Sequence, residues 1–109
     1  MNPQIDDVAS LLDRVREQAD QVQRVQRDVE AMQVKGNSRN NEVTVTVAGT
    51  GRFTEISIDP ETIRRFNARD LGEIVLEAVN DGLRKLGEAS SARFAPIIEA
   101  ANRIERAGQ

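Results

Sequence analysis

Apolar residues recur at sevenfold spacing through the first thirty positions. Ile5, Leu12 and Ala19 lie seven apart, as do Val8, Val15, Val22 and Val29, and Leu11 and Val25 widen the stripe on one flank. Such a repeat describes a long amphipathic helix of ~27 residues, roughly 40 Å at 1.5 Å per residue. Asn2 and Pro3 suit its start as N-cap and first helical residue. The opposite face carries interleaved charges of both signs (Asp13, Arg14, Arg16, Glu17, Asp20, Arg24, Arg27, Asp28 and Glu30), the pattern of a solvated helix rather than of a cationic stripe.

After Val29 the period falls to two. Met32 and Val34 precede Gly36, and Val43, Val45 and Val47 alternate with Thr44 and Thr46, so strands follow the helix. The polar run Gly36 to Asn41 reads as a connection between antiparallel strands. A two-residue turn centred on Gly49 and Thr50 would set Val43 opposite Ile56, Val45 opposite Thr54 and Thr46 opposite Phe53. Ile56 and Ile58 then share the valine face, and Phe53 lies on the other, polar side.

Asp59 and Pro60 supply an N-cap and first helical position for a short turn over Glu61 to Phe66, and Asn67 caps a second long helix with Asp70 in its first turn. Leu71, Ile74, Val75, Ala78, Val79, Gly82, Leu83 and Leu86 form its apolar stripe, with Gly82 admitting a close neighbour. Pro96 predicts a kink or restart near Arg93 to Pro96, before a last helical stretch Ile97 to Arg106. The fold class is therefore α+β in the order α-β-β-β-α, a three-stranded antiparallel meander between two long helices. Residues 1–95 form the main unit and 96–109 a C-terminal helical extension.

With 109 residues the chain has room for one ordinary domain. Three short strands cannot cover helices of this length within one subunit, so a two-fold homodimer with the helices as paired arms is expected; a helical hairpin folded on a monomer's own sheet is the alternative. Candidate interface residues are Val43, Val45, Ile56, Ile58, Val75, Val79, Gly82, Leu83 and Leu86. The chain has no Cys, His, Tyr or Trp, which excludes disulfides, Cys/His zinc sites, thiol nucleophiles and imidazole acid/base chemistry. No enzyme, metal or cofactor is expected. No apolar run approaches the ~20 residues of a membrane span, and the first residues lack a signal-peptide pattern, so a soluble cytoplasmic protein without membrane contact is expected.

Taken together, Met32-Gln33-Val34-Lys35-Gly36 with Ser38, Glu42 to Val47 leading to Gly49 and Gly51, Ile56-Ser57-Ile58-Asp59-Pro60, and Ala78-Val79-Asn80-Asp81 resemble the YbaB/EbfC nucleoid-associated family over residues 5 to 94. The resemblance implies a tweezers-shaped dimer that binds double-stranded DNA at the nucleoid with little sequence preference. Arg39-Asn40-Asn41, Pro96 and the C-terminal tail depart from the family pattern.

Net charge is -3, from 15 basic and 18 acidic residues, so phosphate binding requires local clustering. Residues 82 to 109 hold the one basic excess, five against three. Candidate phosphate contacts are Arg24, Arg27, Lys35, Arg39, Arg84, Lys85 and Arg93. Without a series of aromatic residues, stacking of single-stranded bases is disfavoured. The competing reading is a dimeric adaptor for a protein partner, for example accessory to a secretion cluster, with weak or no DNA binding.

Overall fold

A computed structural model describes the backbone of residues 3–107 and the side chains of residues 7–103. The proposed cap Asn2 and the side chains of Ile5 and Arg106 lie outside the described residues. The elements are α1 (Pro3–Ala31), β1 (Gln33–Asn37), β2 (Val43–Ala48), β3 (Phe53–Ile58), α2 (Pro60–Arg65) and α3 (Ala68–Ala107). The strands form an antiparallel meander in the order β1-β2-β3, as the alternating valines predict.

α3 lies mainly across β1 and β2, and this contact makes the core. Val43, Val45 and Val47 are fully buried, and Val43 and Val45 form one cluster with Ile74 and Ala78 of α3. The backbones meet closely where Gly36 passes Ala78 and Gly82, since a Cβ at Gly36 would stand 2.3 Å from the Ala78 carbonyl oxygen and from the Gly82 nitrogen. The neighbour that Gly82 admits is thus Gly36 of its own chain. Gly49 is constrained by the end of α1, because its Cβ would overlap the Val29 carbonyl.

The β2–β3 register differs from the expected one. Gly51 takes φ +90°, its N–H donates to the Ala48 carbonyl, and the Ala48 N–H donates to the Arg52 carbonyl. These bonds close a three-residue loop, which glycine at a positive φ favours over the two-residue turn. A bulge between Thr46 and Val47 then makes Thr54 an extra residue, so Val47 pairs with Phe53, Val45 with Ile56 and Val43 with Ile58. Two single-residue shifts sum to an even number, which keeps Ile56 and Ile58 on the valine face. Phe53 lies between the two shifts and moves onto that face, where it packs against the core.

The caps match the sequence reading. Asp59 accepts from the Glu61 N–H at 3.0 Å, and Asn67 Oδ1 accepts from the Asp70 N–H at 2.8 Å. Pro96, however, does not interrupt α3, which runs as one helix to Ala107. Proline deprives the Ala92 carbonyl of its donor, but Ala92 and Pro96 are both exposed, so water can satisfy it at lower cost than in a packed interior.

Beyond the sheet, α3 runs antiparallel to α1, and the two make an arm. The molecule measures 79 × 24 × 16 Å, with a radius of gyration of 21.8 Å, against about 13 Å for a compact chain of this length. No described helix is long and apolar enough to cross a membrane.

Candidate nucleic-acid interface

Three of the seven predicted cations sit on the arm. Arg24 from α1 and Arg93 from α3 line one cleft of about 420 Å³, together with Gln21, Val25, Pro96, Ile97 and Ala100. The pairing follows from the fold, because the chain reverses through the sheet and brings positions about seventy residues apart alongside each other. Arg27 lies one turn further along α1, in a shallow depression with Gln23, Gln26 and Glu30. Among the described residues none of these three guanidinium groups is in an ion pair with a carboxylate; Arg24 Nε donates weakly to the Asp20 carbonyl at 3.4 Å.

Lys35 and Arg39 lie elsewhere. Lys35 stands on the outer face of the sheet, in a cross-strand row with Thr46 and Glu55, and lines a polar groove with Thr44 and Ser57. Arg39 is on the β1–β2 loop, its side chain almost wholly exposed and 3.8 Å from Glu77. That loop is ordered by hydrogen bonds: the Ser38 hydroxyl accepts from the Val43 N–H and donates to Glu42, which also accepts from the Asn40 N–H. Bonds from its own N–H and from Ser38 hold the Glu42 carboxyl below its ordinary range, and Asn41 takes φ 61°, a conformation asparagine tolerates.

Arg84 and Lys85 are already engaged. Arg84 bridges Asp81 at 2.9 Å and Glu88 at 2.8 Å, and Lys85 reaches Asp81 at 2.8 Å. Asp81 also accepts the Asn37 N–H at 2.8 Å, fastening β1 to α3. Sequence reading alone treats Asp81 as one more polar residue on a helix face; its role depends on a residue 44 positions away. Lys85, then the Asn37 N–H and Arg84, hold its carboxyl far below the usual carboxylate range, and Asp81 in turn raises the Arg84 pKa. A carboxylate whose folded pKa is depressed stabilises above its unfolded pKa, roughly 3.9, and loses that contribution as pH falls below it. Asp81→Asn is therefore expected to melt several degrees below the parent at pH 6, with the gap closing toward pH 2. A gap that stays constant across that range would remove the charge from the explanation.

The candidate interface residues divide by exposure. Val43, Val45 and Gly82 are buried within the subunit, and Ile58, Val75, Val79 and Leu86 are half-buried. Ile56 and Leu83 are exposed, as are Ile63 and Leu76, which sequence reading did not single out.

The description of the YbaB/EbfC DNA-binding family matches residues 4–101. The chain belongs to that family. Similar proteins carry the name nucleoid-associated protein: jk2011 of Corynebacterium jeikeium is 31% identical over 93 residues, covering 85% of this chain and 89% of its own. A nucleoid-associated protein of Thermobifida fusca is 26% identical over 97 residues, covering 85% of this chain and 84% of its own. Among solved structures, HP0035 from Helicobacter pylori aligns with TM-score 0.53 at 20% identity, over 75% of this chain and 92% of that one. That likeness concerns the fold alone.

Proposed function

We propose that this protein is a cytoplasmic, nucleoid-associated homodimer that binds duplex DNA with little sequence preference and catalyses no reaction. The observation that carries the reading is the placing of Arg24, Arg27 and Arg93 on one arm, with no salt bridge to a carboxylate among the described residues although Glu30 stands beside Arg27. In a protein of net charge -3, only such local clustering can neutralise phosphates. Family membership supplies the ligand class.

Dimerisation is supported by shape and surface. The chain exposes 8390 Å², where a compact monomer of 12.1 kDa would expose about 6,000 Å². α3 leaves β3 mostly uncovered, and Ile56, Ile63, Leu76 and Leu83 remain in water; a second copy packed there would shield them. Residues 1–95 then form the dimerising unit, and the described part of the extension, from residue 96 to residue 107, continues the arm.

Titration with duplex DNA at several salt concentrations tests this reading. Binding is expected to weaken linearly on a log-log plot, and the free protein is expected to sediment at twice 12.1 kDa. No complex at low salt would leave the adaptor reading, which the exposed apolar residues of α1 favour.

A further inference from the structure

The basic excess of residues 82 to 109 is only partly used. Arg84 and Lys85 are held by Asp81 and Glu88, and Arg93 lines the cleft with Arg24, which leaves Arg103 among the cations whose side chains are described. It is exposed, and so is Arg14 on α1. Neither forms a salt bridge with a carboxylate among the described residues.

Helix periodicity places both arginines on the cleft side of the arm. A step of i to i+7 is nearly two full turns and returns a side chain to the same face. Arg14 stands at that step before Gln21 and Arg103 at that step after Pro96, and Gln21 and Pro96 both line the cleft. The helices run antiparallel, with residues 21–25 of α1 beside residues 93–100 of α3. Moving outward from the cleft therefore descends α1 and ascends α3, and Arg103 comes level with α1 near Glu17, about 5 Å along the axis from Arg14. The pair of Arg24 and Arg93 is thus repeated by Arg14 and Arg103, roughly 15 Å further out on each helix. Glu17, two turns before Arg24, is exposed on the same side between the two pairs.

We propose that Arg14 and Arg103 form a second phosphate-binding rung, so that duplex DNA lies along the arm rather than touching it at the cleft alone. The proposal rests on the DNA reading and adds residues to it. At 3.4 Å per base pair, 15 Å spans between about four and five pairs, so one continuous duplex meets both rungs and a lone phosphate ion meets one. In a homodimer the outer rung adds four contacts to the six of Arg24, Arg27 and Arg93, and steepens the log-log salt slope by about 3.6 beyond the share of those six. Glu17 opposes the same phosphates.

Titration of the full chain with a long duplex at several salt concentrations tests the outer rung. Arg14→Ala with Arg103→Ala is expected to flatten the slope by between about 3 and 4, with circular dichroism unchanged. Arg14→Lys with Arg103→Lys is expected to keep the parent's slope, because lysine neutralises a phosphate equally well. Glu17→Gln is expected to bind severalfold more tightly at low salt, an effect that a purely structural role for the arginines would not produce. If the parent binds and the alanine variant flattens the slope by less than about 1, the outer rung is overturned and the cleft reading stands. A lysine variant as flat as the alanine one, or a Glu17→Gln affinity equal to the parent's, overturns it as well. A parent that forms no complex removes both readings together.

Discussion

Gly36→Ala is expected to lower the melting temperature by more than 10 °C or to leave no soluble protein. The added Cβ would meet the Ala78 carbonyl oxygen and the Gly82 nitrogen at 2.3 Å, well inside van der Waals contact. Overpacking against side chains typically costs ~1–3 kcal/mol because rotamers adjust. Here the opposing atoms are helix backbone, and relief requires lifting α3 from β1, which carries the core and the Asp81 to Asn37 bond with it. A loss of about 3 kcal/mol or more follows, at ~4–8 °C for each kcal/mol. Gly82→Ala is the informative control. Its Cβ would stand 3.3 Å from Val45 Cγ2, a side chain that can yield by a few tenths of an ångström, and alanine gains ~1 kcal/mol of helix propensity. A small change at Gly82 beside a large one at Gly36 is the expected pair. A Gly36→Ala protein melting within two degrees of the parent would mean that β1 and α3 do not approach so closely.

The contrast between these glycines marks how far the sequence can be read. Periodicity is a local property, and it located α1, the three strands and α3, while Asp59, Pro60 and Asn67 marked the starts of α2 and α3. Gly82 was legible as a site of close approach, but its partner Gly36 was not, because nothing local joins positions 46 apart. Register failed at Gly51 for a related reason: both a two-residue and a three-residue loop fit the local sequence, and the bulge at Thr54 leaves no compositional trace. The effect of Pro96 is not legible locally, because its penalty depends on whether the freed carbonyl meets water. Within the candidate site, residue type nominated seven cations. The meeting of Arg24 with Arg93, and the capture of Arg84 and Lys85 by Asp81 and Glu88, are tertiary or side-chain facts that counting charges does not reach.

That sorting of cations predicts unequal effects on DNA. A homodimer presents two copies of Arg24, Arg27 and Arg93, and if each neutralises one phosphate the log-log salt slope is about -5. Affinity should then fall roughly a thousandfold between 50 and 200 mM salt. Arg24→Ala with Arg27→Ala removes four of the six contacts and should flatten the slope by between about 3 and 4, whatever the DNA sequence. Arg84→Ala should move the slope by less than about 1, since Asp81 and Glu88 already compensate that guanidinium at 2.9 and 2.8 Å and their release would cost part of what a phosphate returns. The two variants are a fair comparison because both alter exposed helix positions and substitute a better helix former. If Arg84→Ala flattens the slope as much as the double variant, the phosphates lie along the sheet-proximal half of α3 rather than on the arm. If neither changes it, DNA is held by cations that neither variant removes, such as Lys35 and Arg39 at the sheet or Arg93 on the arm.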